Sequence, residues 1–148
     1  MINATEYHRP RSFDELWTTF DALEGRWFIS AGCTDLVPKS RSGLLESGAW
    51  VDVRSIPELT AIEVTDSSVR LGAAVTHHQV ATHPLIREEM PALTMACGAV
   101  GSRQIRALGT LGGNAANCSP CADSLLALIA LDADVILRTP SGTRTIAA

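Results

Sequence analysis

RQIRALGTLGGNAANCSPCAD, residues 103–123, is the stretch around which the rest of the chain is organised. It opens on a basic, irregular approach carrying Arg103 and Arg106 and enters Thr110-Leu111-Gly112-Gly113-Asn114. It then passes Asn117, Ser119 and Pro120 to Asp123, where a strongly apolar helix begins. Two glycines after a hydroxyl residue let the backbone come close to a ligand, because no Cβ intervenes. Amides freed in such a turn make a small concavity suited to phosphate oxygens. The same five residues also read as a tight Gly-Gly turn with polar decoration.

A second small-residue turn, Ala31-Gly32-Cys33-Thr34-Asp35-Leu36, lies far upstream, directly after the apolar run Trp27-Phe28-Ile29. Together the two turns could grip one diphosphate from both sides. A P-loop would need Lys and Ser or Thr after the glycines, whereas Gly113 is followed by Asn114, and a GxGxxG fingerprint is absent. His77 and His78 lack an acidic or Cys partner at ligand spacing and read as ordinary helix residues.

The composition narrows the classes. At 148 residues the chain can bury one core of ordinary size or two small ones. A hydrophobic share of 46% with 19% charged residues is that of a globular protein. The net charge of −4, without a basic block, argues against nucleic acid or an anionic membrane as partner. No apolar run is long enough to span a bilayer, and Met1-Ile2-Asn3-Ala4-Thr5-Glu6 has no secretory pattern. The expectation is a cytoplasmic protein whose four cysteines are reduced. Cys118 and Cys121 form a CxxC, but no second pair completes a metal site.

Along the chain, Ser12 and Glu15 predict a capping box for a helix with Phe13, Leu16, Trp17, Phe20 and Leu23 on its core face. A strand over 26–30 delivers the chain into the upstream turn. Residues 37–48 read as a loop with at most a short helix, and Trp50–Val53 as a strand that closes a small β-α-β lobe. Beyond Ser55-Ile56-Pro57 a second lobe opens with a hairpin, 61–64 and 69–73, around Thr65-Asp66-Ser67-Ser68. Thr76 and Gln79 predict another capping box, and Pro84 and Pro91 predict helix starts. Residues 124–133 should form a helix buried against the sheet. Asp134–Arg138 is a strand, and from Arg144 its partner begins but lacks room to complete the pairing.

These segments, in this order, resemble the flavin-binding subunit or domain of the molybdenum-containing hydroxylases, the xanthine dehydrogenase and carbon monoxide dehydrogenase family. The resemblance covers nearly the whole chain. It rests on the AGxTDL-type turn, Ile56-Pro57-Glu58-Leu59, Leu71-Gly72-Ala73-Ala74-Val75-Thr76-His77, Val100-Gly101-Ser102-Arg103-Gln104-Ile105-Arg106, the TLGGN core, and Ala122-Asp123-Ser124 through Leu131-Asp132-Ala133. It implies an α+β, two-lobed FAD-binding domain of PCMH type. Residues 1–55 would be the small β-α-β lobe. Residues 56–148 would be a lobe with an antiparallel sheet and helices, incomplete at its C-terminal end. FAD would lie extended in the cleft between them.

By the same resemblance, Ala31, Gly32, Cys33, Thr34 and Asp35 would present amides and a hydroxyl to the FAD diphosphate, with Leu36 near the isoalloxazine or ribityl chain. Thr110, Gly112, Gly113 and Asn114 would hold diphosphate and ribityl from the other side. Asn117 would contact the cofactor, and Asp123 would bond the adenosine ribose. Cys33 stands where many relatives have a second glycine, so a positive φ there would strain it. Cys118 and Cys121 stand where small residues are common, and neither a metal nor a catalytic acid or base is expected. The implied partners are a molybdopterin-binding large subunit and a 2Fe-2S small subunit, with NAD+ or another compound as electron acceptor. The function would be electron transfer through FAD within a multi-subunit oxidoreductase. The alternatives are a shortened assembly subunit that has lost tight FAD binding and, more distantly, a nucleotide-binding module unrelated to flavin.

Overall fold

Three short strands run in parallel through the N-terminal part of the computed structural model, which describes residues 2–118 and 122–148. They are β1 (Ala4–His8), β2 (Trp27–Ser30) and β3 (Gly48–Asp52), in the order β1-β3-β2. Central β3 is buried along its whole length. It pairs Phe28 with Trp50 and Ser30 with Asp52 on one side, and His8 with Val51 on the other. Strand β1 was not foreseen. It is an edge strand exposed over nearly its whole length, so no apolar alternation marks it, and its order comes from the ladder to β3.

Helix α1 (Phe13–Ala22) puts Phe13 and Leu16, with Trp17, Phe20 and Leu23, against Val51, Val53 and Ile56 to make the first core. Its cap is a variant of the expected box. The Glu15 amide donates to Ser12 Oγ at 3.1 Å, while the Glu15 carboxylate accepts from the Arg11 amide at 2.6 Å rather than from Ser12. Helix α2 (Leu36–Arg41) connects β2 to β3, and Val53, expected as the last residue of that strand, instead opens a 3-10 turn, Val53–Ser55.

The second core gathers Val75, Val80, Ile86, Leu93, Cys97, Leu111 and Ala127. These come from α4 (His77–Thr82), α6 (Pro91–Ala99), neighbouring α5 (Pro84–Glu89), α8 (Leu111–Asn117) and α9 (Asp123–Ala130), with Val75 on the approach to α4. The Thr76–Gln79 capping box is present in both halves, and Pro84 and Pro91 each occupy the first turn of a helix. After α3 (Pro57–Thr60), β4 (Ile62–Val64) and β5 (Val69–Leu71) form the first hairpin, two residues shorter at its end than expected.

Four expectations for this part are corrected. The basic approach is not irregular: Arg103–Leu108 is helix α7, capped by Ser102. Arg106 turns back to donate to the carbonyls of Val100 and Gly101 at 3.1 and 3.0 Å. The TLGGN stretch is not a Gly-Gly turn but the start of helix α8, with Thr110 as its cap. Helix α9 packs on α6 and α8, not on a sheet, and leaves Leu126 and Ile129 exposed at 65% and 51%. Finally, β6 (Asp134–Thr139) and β7 (Gly142–Ala147) pair completely, from Thr139↔Gly142 to Asp134↔Ala147. The pairing has room because β7 begins at Gly142, directly after the turn. Among the described residues the antiparallel strands are thus two separate hairpins rather than one sheet. No helix among them is long and apolar enough to cross a membrane.

Candidate functional site

The two turns singled out by the sequence meet in space. A Cβ on Gly32 would land on the Leu108 carbonyl and lie 2.9 Å from the Gly109 Cα, so the first turn packs backbone to backbone against the end of α7. From the other side, a Cβ on Gly109 would lie 3.4 Å from Thr34 Oγ1 and 3.3 Å from His77 Cδ2. The floor beneath this junction is the strip 73–77, which runs along 109–112. His77 donates its amide to the Gly109 carbonyl, Leu111 donates to Val75, and Thr76 bridges Thr110.

The two turns differ in what they offer. In the first, Cys33 has φ 58°, the left-handed conformation that makes consecutive amides converge into an anion-binding nest. Among the described residues the amides of Gly32, Cys33, Thr34, Asp35 and Leu36 donate to no protein acceptor. Ala31 is half-buried at the entry, and Leu36 is the first residue of α2. The side chain at Cys33 costs about 1 kcal/mol of backbone strain relative to glycine. Its thiol is pushed above the ordinary range, chiefly by burial.

In the second turn the early amides are already engaged. Leu111 donates to Val75, Gly112 to Ala73 at 2.9 Å, Gly113 to Thr110 Oγ1 at 3.1 Å, and Asn114 to the Thr110 carbonyl. The two glycines have separate reasons. A Cβ on Gly112 would lie 2.5 Å from the Ala73 Cβ and 2.6 Å from the Ala73 carbonyl, so it is glycine for helix packing. Among the described residues, a Cβ on Gly113 would meet only Thr110 Oγ1, at 2.8 Å. Asn114 Oδ1 accepts from Ser124 Oγ at 2.7 Å, which ties α8 to α9.

At the far end of α8, Asn117 reaches back to the first turn. Its Oδ1 accepts from Lys39 Nζ at 2.6 Å, and its Nδ2 lies 3.4 Å from Asp35 Oδ1. Asp123 is exposed in the first turn of α9, and the cap position is Ala122, so Asp123 is not the helix cap. Cys118 ends α8 in a left-handed conformation at φ 46°. Its CxxC partner Cys121 falls outside the described residues.

Two titratable groups support the site from below. Asp52, at the C-terminal end of β3, accepts from Tyr7 Oη at 2.6 Å and from the Arg54 amide, Nε and Nη2 at 3.0, 3.0 and 2.9 Å. Burial pushes its carboxyl up, but the Arg54 guanidinium and Tyr7 hydroxyl outweigh this and hold it below the usual range. His77 is 2% exposed, and its Nδ1 is buried without a partner among the described residues. Burial lowers its pKa, which keeps the imidazole neutral. Gly109 and Ala73 lie within quoted segments but were given no role, and Lys39 falls in the stretch expected as a loop. The Asp35–Lys39 spacing of one helical turn is the signal that places Lys39 on a face with the first turn.

Residues 3–148 match the family model described as the FAD binding domain in molybdopterin dehydrogenase. The nicotinate dehydrogenase FAD-subunit of Eubacterium barkeri is 40% identical over 116 residues, 78% of this chain and 39% of that protein. The carbon monoxide dehydrogenase medium chain of Hydrogenophaga pseudoflava is 30% identical over 143 residues, 97% of this chain and 50% of that one. The solved structure of a Cu,Mo-CO dehydrogenase in its cyanide-inactivated form superposes with a TM-score of 0.92 at 29% identity, covering 99% of this chain and 51% of that chain. The chain thus spans about half the length, or less, of these relatives.

Proposed function

The chain belongs to the family of FAD-binding domains of molybdopterin dehydrogenases, and from that membership we propose that it is the FAD-holding part of the medium subunit in a multi-subunit, cytoplasmic, molybdenum hydroxylase-type oxidoreductase. We assign its partners as a molybdopterin-binding large subunit and a 2Fe-2S small subunit, and divide it functionally at residues 55 and 56. FAD, when bound, supplies the two-electron step between the partner's iron–sulfur clusters and NAD+ or another acceptor.

The chain's own residues bind and orient. The observation that carries this reading is the row of amides from Gly32 to Leu36 that, among the described residues, donate to no protein acceptor, in a turn packed against Gly109 just before α8. Those amides donate to diphosphate oxygens, and the Thr34 hydroxyl adds a further donor beside them. Thr110, whose Oγ1 already accepts from the Gly113 amide, still has its own proton to donate. Gly113 leaves the room that the phosphates need, and Asn114 is oriented by Ser124, its amide nitrogen donating to no partner among the described residues. Asp123, exposed at the start of α9, accepts a ribose hydroxyl. The grip is therefore asymmetric, with backbone donors from the first turn and space plus side-chain donors from the second.

Flavin titration of the purified chain tests this. Saturable FAD uptake with a flavin absorbance band, released on denaturation, is the expected result. Absence of binding by both the chain and its complex with partner subunits would overturn it.

A further inference from the structure

The amides of the first turn are suspended between two anchors of different kinds. At one end Gly32 lies against the Leu108 carbonyl and the Gly109 Cα, a backbone-to-backbone contact with no freedom to give. At the other end Asp35 is met by Asn117, whose carboxamide spans one turn of α2, with Lys39 Nζ at 2.6 Å from its Oδ1 and its Nδ2 at 3.4 Å from Asp35 Oδ1. These partners are 78 and 82 residues apart in sequence, so the contact closes the N-terminal part of the chain onto α8. Asp35 and Lys39 are both exposed, and such bonds break and reform cheaply. Asn117 itself is fixed from behind, because the left-handed Cys118 that follows it returns its amide to the Asn114 and Ala115 carbonyls.

We propose that Asn117 is a positioning residue: with Lys39 and Asp35 it forms a polar latch that sets where the first-turn amides stand relative to Gly113, and it acts on the cofactor through that latch rather than by touching it. Its carboxamide is engaged at both ends of the first turn of α2, with Oδ1 accepting from Lys39 and Nδ2 turned to the cap residue Asp35, and this fixes the plane of the group. The latch also manages charge. Asp35 would repel a diphosphate beside the nest, and Asn117 holds that carboxylate one helical turn from the Lys39 ammonium. The affinity half of this inference rests on the flavin reading given above; the existence of the latch does not.

The test is a double-mutant cycle on the full chain with Lys39→Met, Asn117→Ala and the double variant, in two arms. Without flavin, each single variant is expected to raise the unfolding equilibrium constant in urea about threefold, and the double variant no further. Effects that multiply would show that the latch is not formed in solution. With FAD, each single variant is expected to weaken binding about fivefold, the double no more than either, and Lys39→Arg to stay within about twofold of the parent. FAD affinity untouched by Lys39→Met but lost in Asn117→Ala would overturn the proposal in favour of direct contact. Affinity unchanged in every variant would leave only a structural contact and overturn it equally. A parent chain that binds no flavin overturns the functional reading and the affinity claim together, while the flavin-free arm still decides the latch.

Discussion

Gly112 and Gly113 are adjacent and chemically identical, yet the space around them separates their roles. Gly112→Ala drives a Cβ into Ala73 at 2.5 Å. This backbone-supported clash is expected to cost about 1–3 kcal/mol of stability, read as a lower urea midpoint. Among the described residues, Gly113→Val meets only the Thr110 hydroxyl, so the fold should lose about 1 kcal/mol, the worth of a cap. FAD binding should be abolished, because the valine fills the phosphate space. Stoichiometric FAD in the Gly113 variant would refute that division. His77 gives a pH signature. Its folded pKa is lowered from 6.5 by burial, so the unfolded chain binds the extra proton first. The stabilisation is complete above 6.5 and is lost as pH falls toward the lower folded value. Urea midpoints should therefore decline as pH falls below 6.5, and His77→Gln should flatten that decline.

At the scale of elements, a helix start serves two purposes at the TLGGN stretch. Thr110 caps α8 through the Gly113 amide, and the neighbouring amides of Leu111 and Gly112 tie the helix to the strip 73–75. The helix is therefore fixed by its floor before any ligand arrives. Helix α9 starts differently, with Ala122 at the cap position and Asp123 one residue inside, where, among the described residues, its carboxylate acts on the helix through the dipole. Asp123→Ala is accordingly expected to cost about 0.3–1 kcal/mol of stability. It should weaken FAD by about 2 kcal/mol, roughly 30-fold, through a lost ribose bond. Measuring melting temperature and FAD affinity on the same variant separates the two, and unchanged affinity would remove Asp123 from the site.

Across the whole molecule, two small cores are held together by thin contacts. The first turn rests on Gly109, Asn117 reaches α2, and the Arg138 guanidinium lies 3.8 Å above the Phe13 ring, joining β6 to α1. A ligand gripped by residues from both cores should therefore stabilise the whole more than either core alone. At a free FAD concentration of about 100 times Kd the expected gain is about 2.7 kcal/mol, visible as a raised melting temperature. A melting temperature indifferent to saturating FAD would contradict a cofactor held between the cores.

The amino-acid sequence by itself determined the features that depend on local chemistry. The α1 stripe, the Thr76–Gln79 box, the proline starts of α5 and α6 and the first hairpin all follow from side-chain spacing and turn residues. The ordered motifs from AGxTDL to TLGGN were enough to point to the flavin family. The two small-residue segments stood out in the sequence, but only the first is a turn; the second, read as a Gly-Gly turn, is the start of α8 behind the Thr110 cap. Only the tertiary structure decided which amides remain to be donated. Whether the Gly112 amide is free depends on Ala73, some forty residues away, and whether Asn117 faces a ligand depends on Lys39. The edge strand β1 and the exposed face of α9 were hidden for the same reason: burial belongs to neighbours in space, and a chain read in order shows only neighbours in sequence.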